Sequence, residues 1–162
     1  MQRNFMGYTT RAGSDVLAFG PSAISRVGRD FAQNVKGLEQ YEGLVEQGQL
    51  PVERGMSLSD DDLLREHVIQ SIMCYGRVDF DKARQMFGAD LLANDDVRRG
   101  LDAVEADGLI GWRDSGRVMK VTPLGRFFLR NIAMSFDAYL GRPTGHTTIK
   151  GTPVALRFSK TV

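Results

Sequence analysis

Thiol chemistry is almost absent from this sequence, which holds one cysteine, Cys74. That excludes a disulfide framework within the chain, and a reducing cytoplasm is the compartment such a composition suits. Only two histidines are present, His67 and His146, and they are far apart in the chain. No histidine pair at metal-ligand spacing therefore exists. No apolar run approaches the ~18 residues that cross a bilayer. The first residues lack the basic region, apolar stretch and small-residue cleavage site of a signal peptide. Nor does one sign of charge dominate, since 21 Lys and Arg stand against 20 Asp and Glu. A nucleic-acid binder carries a basic stripe or patch, so composition gives that class no support. These absences leave a cytoplasmic protein with no membrane and no nucleic acid among its expected partners.

What is present suffices for a packed core. Hydrophobic residues make up 42% of 162 positions and charged residues 25%, near the average of a soluble globular domain. The length suits one domain, or a small domain with an appendage.

Residues 1–57 differ in pattern from the rest of the chain. Phe5-Met6-Gly7-Tyr8-Thr9-Thr10 and Asp15-Val16-Leu17-Ala18-Phe19 are short, apolar and β-prone, with a turn over 11–14. Two strands make no core by themselves, so this stretch reads as the end of a larger sheet. Residues 25–45 are predicted helical in two pieces, with Leu38, Tyr41, Leu44 and Val45 at helical spacing. Residues 49–56 are predicted to be a connector containing Pro51 and Gly55.

From residue 58 to 143 the pattern is that of a compact, mainly helical domain. Ser59 precedes three acids and can cap a helix whose core face is Leu64, Val68 and Ile72, ending near Gly76. A short extended piece at 77–80 leads to a second helix stopped at Gly88. Asn94 caps a third helix, with Val97, Leu101 and Val104 on one face. A hairpin turns around Asp114-Ser115-Gly116. Thr122-Pro123 opens a fourth helix with the apolar stripe Phe128, Ile132, Phe136 and Leu140. Helix, strand, helix, helix, hairpin, helix is the order of a winged helix. Residues 144–162 form a tail whose apolar stretch, 154–158, has no assigned place.

Several segments, in order, resemble the C-terminal part of the oxygen-independent coproporphyrinogen III oxidases, radical-SAM enzymes of heme biosynthesis. They are Phe5-Met6-Gly7-Tyr8-Thr9-Thr10, Gly20-Pro21-Ser22-Ala23-Ile24-Ser25, Phe31-Ala32-Gln33-Asn34, Arg54-Gly55, Val68-Ile69-Gln70-Ser71-Ile72-Met73-Cys74, the run from Arg130 to Leu140, and Phe158-Ser159-Lys160. The resemblance implies an α+β chain: the last strands and helices of a radical-SAM (β/α) barrel over 1–57, a winged-helix-like domain over 58–143, and the tail. It implies an oxidoreductase using S-adenosylmethionine and a 4Fe–4S cluster. A 5′-deoxyadenosyl radical takes hydrogen from two propionates of coproporphyrinogen III, and decarboxylation leaves the vinyl groups of protoporphyrinogen IX.

The resemblance also assigns residues. Phe5, Met6 and Ile24 fall on positions beside bound S-adenosylmethionine, and Met6 replaces the glutamine usual there. Read as residues alone, the same three fill the core of a sheet. The substrate carries four carboxylates, so arginines are the groups to seek. Arg126 and Arg130, four apart on the fourth helix, and Arg54 in the connector are the candidates, with solvated surface charge as the plain alternative. No residue of this chain is assigned a catalytic or metal-binding role. The cluster takes three thiolates and this chain has one cysteine. The chain is therefore expected to be a fragment, inactive without the N-terminal barrel half, and to bind no cofactor alone. Two rival classes stand beside this reading. One is a winged-helix regulator of DNA, which the five acids around Arg98-Arg99 oppose. The other is a heme-trafficking relative, for which no heme-ligand motif is present.

Overall fold

Ser59 decides where the longest helix begins. Its hydroxyl accepts from the Asp62 amide at 3.2 Å while the Asp62 carboxylate accepts from the Ser59 amide at 2.9 Å. This capping box satisfies two backbone donors at once. The helix, α2 (Asp60–Tyr75), ends where Gly76 takes the left-handed conformation, φ 62°. Leu64, Val68 and Ile72 are fully buried along one face, each contributing about 2 kcal/mol by removal from water.

The structure is a computed structural model and describes residues 1–4 and 7–140, with the backbone of 147–149 and 152–154. It forms two units, Met1–Gly13 with Leu58–Leu140, and Ser14–Ser57 with Gly141–Val162. The stretch 1–57 is thus shared between the two.

In the first unit α2 is followed by β6 (Arg77–Asp79), α3 (Phe80–Phe87), a 3-10 turn (Leu91–Ala93), α4 (Asp95–Ala106), β7 (Ile110–Arg113) and β8 (Val118–Val121). The three strands make an antiparallel sheet in the order β6-β8-β7. Its central residue, Met119, pairs with Val78 on one side and Trp112 on the other and is fully buried. Asn94 caps α4, its side-chain oxygen accepting from the amides of Asp96 and Val97 at 3.0 and 3.1 Å. The rings of Phe80 and Phe136 stack 6.0 Å apart at the centre of the core.

The expected fourth helix is broken in two. A 3-10 turn (Gly125–Phe128) precedes α5 (Leu129–Met134). Three residues per turn instead of 3.6 shifts the helical phase. Ile132 and Phe136 stay in the core, but Phe128 and Leu140 are 42% and 54% exposed.

The N-terminal strands also differ from expectation. β1 (Gln2–Asn4) and β2 (Gly7–Thr9) pair with each other, joined through Phe5 and Met6, which lie outside the described residues. The hairpin is held on α2, where the Gln70 amide exchanges hydrogen bonds of 2.7 and 2.6 Å with the backbone of Arg3. Residues 15–19 form no strand, and Val16 alone bridges to Arg26.

The second unit corrects the helical reading of 25–45. Its first part is a hairpin, β3 (Ile24–Val27) and β4 (Asp30–Asn34), and only α1 (Leu38–Glu46) is helical. Gly28, at φ 58°, supplies the turn between Val27 and Asp30, a conformation that favours glycine. The expected connector is β5 (Val52–Ser57), paired along the other side of β4. β9 (Thr147–Ile149) and β10 (Thr152–Val154) pair as a further hairpin. Of the apolar tail stretch, 155–158 lies outside the described residues, as do 159–160.

Candidate functional site

Two antiparallel partners directly opposite each other share one face of a sheet. Ile24 pairs with Gln33, and Gln33 pairs with Arg54. The three therefore form one row across β3, β4 and β5. The next row on the same face is Arg26, Phe31 and Met56. Two of the residues selected from the sequence, Ile24 and Arg54, are thus brought together in the second unit, with Gln33 between them.

Arg54 donates from Nε and Nη2 to the side-chain oxygen of Gln33, at 2.7 and 2.5 Å. The amide nitrogen of Gln33 donates to the Ser22 carbonyl at 3.0 Å. Beside the arginine, Gly55 is required by contact, because a β-carbon there would meet the Phe31 carbonyl oxygen at 2.8 Å. In the lower row the Arg26 guanidinium lies 5.1 Å from the centre of the Phe31 ring, a cation–π distance.

The turn that ends at Ile24 is tied down from several sides. Ser22 is left-handed, φ 59°, although it is not glycine, a conformation that is held only when surroundings impose it. Its amide donates to Val35 at 2.8 Å. The Gly20 amide donates to the Tyr41 hydroxyl at 3.0 Å, and the Gly20 carbonyl accepts from Asn34 Nδ2 at 3.0 Å. Asn34 is the buried polar residue of the described core. Asn34 and Gln33 belong to a segment that the resemblance singled out, but sequence reasoning gave neither a role. Reading 25–45 as helix hid the alternation that places Gln33 beside Arg54.

The other selected residues lie elsewhere. Arg126 sits on the 3-10 turn and Arg130 on α5, both exposed, in the first unit. Neither makes an ion pair among the described residues. Phe5 and Met6 lie outside the described residues. Cys74 is half-buried on α2, its thiol 3.7 Å from the side-chain oxygen of Gln70. One thiol does not fit a cluster that takes three. Among the described residues no group of three His, Cys, Asp or Glu converges as a metal site. No helix among them is long and apolar enough to cross a membrane.

With this geometry in view, comparison with known proteins gives one consistent result. An oxygen-independent coproporphyrinogen III oxidase from Synechocystis is 40% identical over 145 residues, 86% of this chain and 31% of the relative. The enzyme of the same name from Thermostichus vulcanus is 37% identical over 93% of this chain and 46% of its own length. The solved structure of coproporphyrinogen III oxidase from Escherichia coli, described as a radical SAM enzyme, superposes with a TM-score of 0.78 at 39% identity. The match covers 86% of this chain and 32% of that one. The chain is a homologue of part of the oxygen-independent coproporphyrinogen III oxidases. It spans about a third of the length of most of the curated relatives it matches. No protein-family model matches it.

Proposed function

We propose that this chain forms the C-terminal portion of an oxygen-independent coproporphyrinogen III oxidase, a cytoplasmic enzyme of heme biosynthesis. The observation that carries the proposal is agreement of sequence and fold with the Escherichia coli enzyme, 39% identity and a TM-score of 0.78 over 86% of the chain. A cluster of this kind takes three thiolates and these 162 residues hold one cysteine, so on this reading the cluster ligands come from outside the matched stretch. The chain's part is to bind, to orient and to exclude water. On this reading the β3-β4-β5 sheet is the end of the radical-SAM core. Residues 58–143 are a winged-helix-like domain, with β7 and β8 as the wing, whose role is to shield the tetrapyrrole from water. Phe5, Met6 and Ile24 are the residues of this chain that the resemblance assigns to S-adenosylmethionine. Arg54 in the second unit, and separately Arg126 and Arg130 in the first, are the candidates for substrate carboxylates.

The charge on α4 speaks against use of that domain on DNA. Asp95, Asp96, Asp102 and Glu105 are exposed along it, and Arg99 is already paired with Asp96. Phosphate would be repelled there.

The test is a chimera in which this chain replaces the matched stretch of the Escherichia coli enzyme. A cluster-loaded chimera is expected to convert coproporphyrinogen III anaerobically to the divinyl product. A chimera that folds and holds its cluster, yet neither binds nor converts the tetrapyrrole, overturns the proposal.

A further inference from the structure

We propose that Gln33 is the displaceable occupant of a carboxylate subsite centred on Arg54, its side-chain oxygen holding the place that a ligand carboxylate takes. The proposal rests on the function proposed above and adds to it a residue and a chemistry.

The argument starts from the guanidinium. Its Nε and Nη2 hydrogens leave one edge in parallel, the edge that grips two carboxylate oxygens at once. In this structure both converge on a single neutral oxygen, at 2.7 and 2.5 Å. A carboxylate would give each N–H an acceptor of its own and would add the attraction of opposite charges, which a neutral amide oxygen does not supply. Gln33 is thus an occupant that a carboxylate can displace.

The orientation of the amide is fixed by its other end. The Gln33 nitrogen donates to Ser22 at 3.0 Å, so the flipped amide would set an NH2 group against a cation and leave that carbonyl without its donor. Ser22 lies two residues from Ile24, which shares the row with Gln33. One side chain therefore ties the turn beside Ile24 to the arginine. Arg26 and Phe31 extend the same face with a second cation and an aromatic ring. That combination suits a ligand that is part anionic and part flat and apolar.

Two carboxylates could take this subsite, a propionate of the tetrapyrrole or the carboxylate of S-adenosylmethionine. The experiment titrates each separately into the folded, cluster-loaded chimera, using coproporphyrin III, the stable oxidised macrocycle, for the first. Wild type is compared with Gln33→Glu and Gln33→Met, with circular dichroism to establish that each is folded. Glutamate places a carboxylate permanently on Arg54 and should weaken binding about tenfold or more. Methionine keeps the size, frees the guanidinium, and should bind as well as wild type or better. A merely structural Gln33 gives the opposite order, because glutamate keeps an acceptor for Arg54 and methionine does not. Glutamate weakest, with either ligand, upholds the subsite and names which carboxylate fills it. Methionine weakest, with glutamate unharmed, overturns the role of Gln33 and leaves the function standing. Equal affinities in wild type and both variants overturn the subsite, while turnover by the wild-type chimera decides the function independently.

Discussion

The hydroxyl of Tyr139 donates to a carboxylate oxygen of Asp62 at 2.8 Å, joining the segment after α5 to the first turn of α2 across 77 residues. Burial alone would raise the Asp62 carboxyl. The hydrogen bonds from Ser59, then that from Tyr139 and the charge of Arg65, outweigh it and hold the carboxyl below its usual value. A carboxyl depressed by folding contributes stability that is present above its unfolded pKa, about 3.9. That contribution is lost as pH falls through the lower folded value. Tyr139→Phe should therefore cost about 1 kcal/mol at neutral pH. The gap between wild type and variant should close in the range below about pH 4. Urea midpoints measured at both pH values check this, and a gap independent of pH would assign the loss to packing.

Gly125 and Gly43 should respond to alanine with opposite signs. A β-carbon on Gly125 would sit 2.0 Å from the Leu109 carbonyl oxygen and 2.9 Å from Val121 Cγ1. Backbone on one side and a core side chain on the other leave nothing free to yield, so Gly125→Ala should cost about 3 kcal/mol or more. Gly43, inside α1, has nothing within 4 Å of the same position. Gly43→Ala should stabilise by about 0.5–1 kcal/mol through lower unfolded-chain entropy. Denaturant midpoints of the two variants measure both signs.

The elements that sequence reading placed well are those whose ends carry a chemical mark. Ser59, Asn94, Gly76 and Gly88 cap or stop helices by their own side-chain oxygen or freedom at positive φ, and those boundaries are local. The β3-β4 hairpin was hidden because Leu38, Tyr41 and Leu44 set a helical period that was extended backwards over Gly28. One glycine in a polar stretch marks a turn only once its strands are known to pair. The 3-10 turn at Gly125 was hidden for a similar reason. It answers to the carbonyl of Leu109, a neighbour in space that no window of sequence contains. Ile24 and Arg54 were singled out separately from the sequence. That Gln33 joins them is a consequence of register, which is a tertiary property.

Arg117 makes a second long-range tie, and its two partners should differ in weight. It donates from Nε to Asp81 at 2.7 Å and from Nη1 to Asp90 at 3.0 Å. Burial alone would lower its pKa, but the hydrogen bonds to Asp90 and Asp81 outweigh it, and the guanidinium stays charged. Asp90 is less exposed than Asp81, 24% against 54%, and its other oxygen accepts from the Leu92 amide at 3.0 Å. Asp90→Ala removes an ion pair and a cap together and should cost about 2–3 kcal/mol. Asp81→Ala, at the more exposed pair, should cost under about 1 kcal/mol. Thermal unfolding of both variants orders them, and equal losses would mean that the cap contributes nothing.

Arg126 and Arg130 give the sharpest contrast between a site and a surface. Both are exposed, with Leu124, Phe127 and Phe128 exposed beside them. Removing exposed side chains should change stability by no more than about 0.5 kcal/mol. If they meet propionates of the substrate, Arg126→Ala together with Arg130→Ala in the oxidase chimera should raise KM about tenfold or more, with kcat less affected. Lysine at both positions keeps the charge and loses the fork, so it should recover only part of the loss. Anaerobic steady-state kinetics separate the cases. Full recovery by lysine would mean that charge alone matters, and unchanged kinetics in the alanine pair would return both arginines to the solvated surface.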